Sequence, residues 1–324
     1  MKYFIGFFYY VMAKIIKSNQ IESISLKTFN NRKNKILIYR QYGGLGDILM
    51  MRMIFEDFKK IDETNKLYFA CPSYLKDAVT DHPFLDGVLD AETVDKNEYY
   101  TYDVSHSCTR YEISKGSQSD KNRSDIWAES CGVKLENHNM HIKLSESEIE
   151  YGKNKVKSVY NNNLPNVIFC PVSAMASKNL QPNQIEDIVE NIKNVNIIGL
   201  HKDNIDVLDN LGVKTISNTK IREWMSVIYN ADYVITVDTA AFHFAGGISK
   251  PTLGIFTWAD GLIYGKYYKN SKIIQNRKRG EGFECPCYRF SSCPLSKLAL
   301  KPCLTELNGK IIAQEFEKMI LNDK

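Results

Sequence analysis

Three stretches of this 324-residue chain hold side chains whose types and spacing could do chemistry. In "YRQYGGLGDILM", Gly43, Gly44 and Gly46 stand between an apolar run and a helix. Glycine there allows positive φ and a close approach of backbone to ligand. Asp47 then falls at or near the helix start. It can cap the helix, or it can act as a general base at the mouth of a cleft, and the two roles are not exclusive. A dinucleotide-binding fingerprint needs a further glycine three residues after Gly46, and Leu49 stands there, so that reading fails on its own pattern.

The second stretch, "PVSAMASKNLQP", follows an apolar run. Ser173, Ser177 and Lys178 could receive phosphate oxygens, the ammonium acting as a point charge; a solvated loop lysine fits the same letters. The third is "VITVDTAAFHFAGG". Asp238 ends a strand, Thr239 opens a helix, and the small Ala240 and Ala241 leave the first amides of that helix open to a pyrophosphate. His243 is one turn on and could face the same site. The alternative is an Asp-Thr helix cap with a packed histidine.

The elements that must position these residues read as alternating strands and helices. "KILIYR" (35–40), "KLYFACP" (66–72) and "GVLDAE" are strands; "ILMMRMIFEDFKKI" (48–61) is a largely buried helix, and Ser73 caps the next one. Residues 95–140 are less regular, with "YDVSHSCTRYE" as strand then loop and "SDIWAESCGV" as a helix between Ser124 and Gly132. "NNNLPN" (161–166) reads as a linker. A second series follows: strands at 167–174, "VNIIGL", 232–238 and "PTLGIF" alternate with helices, and an amphipathic helix closes the chain. This pattern predicts an α/β protein with two domains in series, 35–163 and 164–324, behind an N-terminal segment of residues 1–34. Ligands of such sheets bind outside the carboxyl ends of the strands.

Bulk properties exclude little. The net charge of +4, from 42 basic and 38 acidic residues, is too mild to argue for nucleic acid and suits contact with anionic lipid or phosphate-bearing sugars. The first 17 residues hold an aromatic and apolar run flanked by Lys2, Lys14 and Lys17. About 14 residues of helix span about 21 Å, short of the roughly 30 Å hydrocarbon core. Residues 2–17 therefore either lie on a membrane surface or pack on the protein itself. Cys71, Cys108, Cys131 and Cys170 read as buried thiols of a reduced, cytosolic protein, and the expected location is the cytoplasm, with peripheral attachment to the inner face of the membrane. Cys285, Cys287, Cys293 and Cys303 could form a structural zinc site or serve as packing thiols.

From about Lys35 onward the chain resembles glycosyltransferase family 9, the ADP-heptose:lipopolysaccharide heptosyltransferases. The likeness rests on "GDILMMRMI", "SAMASKNLQP", "VITVDTAAFHFAGGISKPTLGIFTWAD" and the "CPC…C…C" tail. It implies a GT-B fold of two facing Rossmann-like domains, an acceptor domain first and a nucleotide-sugar domain second. It further implies an inverting transfer needing no cofactor or metal, from a nucleotide-sugar, with an ADP-sugar favoured, to a glycan or glycolipid acceptor. By the same match Asp47 is the base, Lys178 binds phosphate, Asp238, Thr239 and His243 contact the donor, and Asp203 holds its ribose. The chain departs from the family with Ala240 where a glycine follows Asp-Thr, and with Met53 where the first helix has a proline. Two rival readings stay open: a sugar-nucleotide epimerase, and a degenerate binding protein that keeps the fold and not the chemistry.

Overall fold

The computed structural model describes residues 34–277, 279–280, 283–288, 293 and 301–322. Residues 2–17, expected either on a membrane surface or packed on the protein itself, lie outside them. No described helix is long and apolar enough to cross a membrane.

Two parallel sheets form the frame. The first runs β3-β2-β1-β4, built from β1 (Lys35–Tyr39), β2 (Lys66–Cys71), β3 (Gly87–Asp90) and β4 (Tyr100–Asp103). Its main helical run is continuous from α1 (Leu45–Met51) through a 3₁₀ turn (Arg52–Ile54) into α2 (Phe55–Ile61). Ile48 to Phe58 are all buried, as expected for a helix apolar on nearly every side. Three local expectations change. Ser73 does not cap an α-helix: Pro72 precedes a 3₁₀ helix, Ser73–Ala78. The expected loop after β4 is α3 (Ser107–Lys115). The next helix, α4 (Arg123–Ser130), is capped by Asn122, whose side chain accepts from Ser124 N, rather than by Ser124. Ahead of the second sheet comes α5 (Glu146–Val159), opened by a Ser145–Glu148 capping box.

The second sheet runs β10-β9-β8-β5-β6-β7. Its strands are β5 (Asn166–Cys170), β6 (Asn196–Leu200), β7 (Thr215–Ile216), β8 (Tyr233–Val237), β9 (Thr252–Phe256) and β10 (Ser271–Gln275). Its helices are α6 (Pro182–Asn191), α7 (Asp206–Asn210), α8 (Ile221–Tyr229), α9 (Ala240–Gly247), α10 (Gly261–Tyr264), α11 (Pro302–Thr305) and α12 (Gly309–Asn322). The short β7 and the edge strand β10 carry too little periodic signal to be expected from sequence. A further pair, β11 (Arg279–Gly280) and β12 (Phe283–Glu284), is antiparallel. One apolar cluster joins the halves, running from Ile48 and Phe55 through Trp127 to Ile228 and Phe244.

Helix α5 precedes the linker yet packs on α8, beyond it. Gly152 makes this possible: a Cβ there would lie 2.2 Å from the Ser226 carbonyl oxygen. The obstacle is backbone and cannot swing aside. Gly152→Ala is therefore expected to push α5 off α8 and cost about 1–3 kcal/mol, as overpacking does. Thermal denaturation checks it, and an unchanged Tm would show that the helices slide apart freely.

Candidate active site

The glycine turn wraps the end of β1. Gly43 has φ +152°, and a Cβ on it would lie 2.7 Å from Arg40 Nε, so only glycine lets the turn fold over this guanidinium. Gly44 is the N-cap of α1, which places Asp47 at the third helical position instead of at the cap. Its Oδ2 accepts from Gly44 N at 3.4 Å and from Arg40 Nη2 at 2.8 Å. Its Oδ1 accepts from Arg123 Nη1 at 2.6 Å. Burial would raise the pKa of this carboxyl; Arg123 and Arg40 outweigh it and hold the group well below the usual carboxylate range.

Opposite Asp47 stands the start of α9. Thr239 caps that helix by accepting from Ala241 N at 3.1 Å, so one of the two amides expected to be open is already satisfied. The two helix starts touch: a Cβ on Gly46 would lie 2.9 Å from His243 Cδ2 and 3.5 Å from Ala240 N. Gly46 therefore serves the approach of the two halves. His243 is buried, and burial lowers its pKa to about 4, so the imidazole is neutral at pH 7. Its Nδ1 shares a hydrogen bond with Tyr268 Oη at 3.0 Å, and its Nε2 is 4.0 Å from Asp238 Oδ1. Lys178, in the turn Ala176–Lys178 after β5, pairs with Asp238 Oδ2 at 2.7 Å and lies 5.1 Å above the Trp258 ring.

These groups line one cavity of about 700 Å³, large enough for a nucleotide-sugar. The first half contributes Arg40, Gly46, Asp47 and Arg123; the second contributes Lys178, Asp238, Thr239, Ala240, His243 and Trp258. Two expected residues lie off its wall. Ser177 is half-buried, its carbonyl accepting from Thr257, and Ser173 lines the cavity in its place. Asp203 is exposed and lies 3.6 Å from Lys202 Nζ; His201 and Lys202 reach the wall instead. Arg40, Arg123, Trp258 and Tyr264 were not expected. Arg40 abuts the glycine turn, which was a usable signal; Arg123 stands just before the expected helix at Ser124, and a lone arginine there reads as a solvated helix end.

Of the tail cysteines, Cys285, Cys287 and Cys303 are buried and Cys293 is half-buried. Among the described residues no group of three or more His, Cys, Asp or Glu is arranged to hold a metal ion.

The profile of glycosyltransferase family 9 (heptosyltransferase) matches residues 109–288, more than half of the chain. This chain belongs to glycosyltransferase family 9. Its fold is GT-B, shared with solved members. Escherichia coli ADP-heptose lipopolysaccharide heptosyltransferase II aligns with a TM-score of 0.63 at 11% identity, over 89% of this chain and 99% of that one. The family 9 glycosyltransferase of Veillonella parvula gives 0.69 at 10%, over 90% and 98%. TibC of enterotoxigenic E. coli, an iron-containing dodecameric glycosyltransferase, gives 0.66 at 13%, over 89% and 77%. No curated protein matches the sequence. The family 9 chain is thus a heptosyltransferase-like glycosyltransferase.

Proposed function

We propose that this enzyme is an inverting glycosyltransferase that moves a sugar, heptose from ADP-heptose as first choice, onto a hydroxyl of a lipopolysaccharide-core-like or other glycan. One observation carries the reading: Asp47 from the first half, and Lys178 with the start of α9 from the second, line the same cavity. A hydroxyl is a weak nucleophile, so a carboxylate must take its proton as the bond to the anomeric carbon forms. The leaving diphosphate gains charge at the other end of the reaction. Lys178 and the α9 N-terminus are suited to stabilise it. Asp238 would repel that diphosphate, and the ammonium 2.7 Å away offsets it.

Lys178→Ala removes the cation and leaves the Asp238 carboxylate, 5% exposed, facing an anion. Donor affinity is expected to fall about 10–100-fold, the worth of a charged hydrogen bond. Titration calorimetry with ADP, after a thermal-shift screen of ADP-, GDP-, UDP- and dTDP-sugars, measures it. Unchanged affinity would place Lys178 outside the donor site. An ADP-sugar consumed only when a glycan is added supports transfer, whereas donor alone converted to an isomer would make the protein an epimerase.

A further inference from the structure

Asp47 does not stand alone, and the groups behind it come from both halves. Arg123, at the start of α4, reaches three carboxylate oxygens. Its Nη1 donates to Asp47 Oδ1 at 2.6 Å. Its Nε and Nη2 donate to Glu112 Oε1 and Oε2, both at 2.7 Å. Glu112, on α3, is fully buried, and its Oε1 also accepts from the Tyr264 hydroxyl at 2.8 Å. Tyr264 belongs to α10 of the second half. The same junction is tied a second time: Asn122, the cap of α4, donates to the carbonyls of Ile263 and Tyr264 at 2.9 and 3.1 Å.

A carboxylate has about four lone-pair sites on its two oxygens. Oδ2 of Asp47 is engaged twice, by Arg40 Nη2 and more distantly by Gly44 N. Oδ1 is engaged once, by Arg123, and keeps a lone pair for a substrate proton. A guanidinium is planar and its fork is rigid, so a bidentate grip on Glu112 fixes where Nη1 points. Glu112 also balances the Arg123 charge, so that Asp47 does not face two uncompensated cations. A lysine at position 123 could supply the charge but could not hold both carboxylates in one plane.

We infer that Glu112, Arg123 and Tyr264 form a positioning unit, assembled across the two halves, that aims Oδ1 of Asp47 at the acceptor hydroxyl. This rests on the reading of Asp47 as the base. The unit ties orientation of the base to contact between the halves, since Tyr264 reaches Glu112 only while they adjoin. The charged and titratable groups facing Asp47 are Arg40 from the end of β1, Arg123 from α4, Cys108 and Glu112 from α3, and His243 from α9, with Tyr264 behind Glu112. His243 is neutral at pH 7, and burial pushes the Cys108 thiol up, so the two arginines dominate the field at the carboxylate.

Carboxyl carbon NMR of protein labelled at aspartate Cγ follows the ionisation of Asp47 directly, the signal being assigned by its loss in D47N. With both cations present, Asp47 should not titrate above about pH 4, the ordinary aspartate value. Arg123→Gln removes one of the two cations and leaves burial, which raises a carboxyl pKa, so Asp47 should titrate at a higher pH than in the parent. Because R123Q strands the buried Glu112 and could fail to fold, the paired variant E112Q/R123Q removes both charges together and gives the same reading. In parallel, R123K and Y264F should lower turnover of ADP-heptose with an inner-core oligosaccharide on the order of 10–100-fold, as misplaced groups do, while ADP affinity holds. An unmoved Asp47 titration in the folded E112Q/R123Q variant overturns the inference whatever the activity. Loss of turnover in D47N beside parental turnover in R123K and Y264F would sink the positioning role alone. Full turnover in D47N would remove the base itself.

Discussion

Asp47→Asn is expected to keep the fold and the donor affinity and to lose about 10²–10⁴ of turnover, the usual worth of a general base. The amide has the shape of the carboxylate but cannot take a proton at neutral pH. Its cost in stability comes from geometry. Asp47 now accepts from Arg123 on one oxygen and from Arg40 on the other. An asparagine has one acceptor oxygen, so its NH₂ must face one of the two guanidiniums, and that donor loses its partner. A Tm lower by several degrees is the expected sign, because a buried donor left unsatisfied costs about 1–3 kcal/mol. The α1 start itself should persist, because the only bond from Asp47 to that turn is the long one to Gly44 N. Steady-state kinetics with circular dichroism and ADP titration separate the effects. A variant that transfers sugar at the parental rate would leave Asp47 as no more than an anchor for two arginines.

The parts of this enzyme legible in its sequence are those where one residue type has one use. Glycine at position 43 is demanded by φ +152° and the Arg40 guanidinium beneath it, and the turn is plain in the letters. The Asp238–Thr239 strand end and the helix after it were equally plain, because an apolar run stops at a capping pair. What stayed hidden is the second layer. Glu112 and Arg123 are charged residues in a polar stretch, and such letters ordinarily mean a solvated face. Glu112 is buried and Arg123 half-buried because they pair with each other, and that pairing depends on α3, α4 and α10 meeting in space. β4 reads "YTYD" with no buried residue, so periodicity could not separate strand from loop there. Asp203 shows the opposite failure: its place in the chain order suggested a ribose contact, yet it points to solvent and its neighbours His201 and Lys202 reach the cavity.

Arg52→Ala should be among the most destabilising single changes in the protein. The residue lies in the 3₁₀ turn directly after α1 and is fully buried. Every one of its five N–H donors is used. Nε donates to Met140 O at 2.7 Å. Nη1 donates to Ala78 O at 2.9 Å and Asp81 Oδ1 at 2.8 Å. Nη2 donates to Asp81 Oδ2 at 3.1 Å and His141 O at 2.7 Å. Asp81 is in turn 3.1 Å from Arg222 Nη1 on α8, and Arg222 grips Glu148 of α5 through two bonds of 2.7 and 2.9 Å. The chain of charges therefore bolts the helix run that carries Asp47 to α8 of the second half and to α5, which packs on it. Alanine removes the group that satisfies two buried carbonyls and a half-buried one and neutralises Asp81 from below. Breaking a buried pair of this kind costs about 3–5 kcal/mol. In a chain of this size that is a fall in Tm of roughly 4–7 °C. Arg52→Lys should fall between, because three ammonium donors cannot serve four acceptor groups spread around a planar fork. Calorimetry of the three proteins gives the order parent, lysine, alanine. A Tm for the alanine variant within about 1 °C of the parent, a change of less than about 1 kcal/mol in a chain of this size, would show that the loop at 140–143 and the turn at 78–81 find other partners, and that the bolt between the halves lies elsewhere.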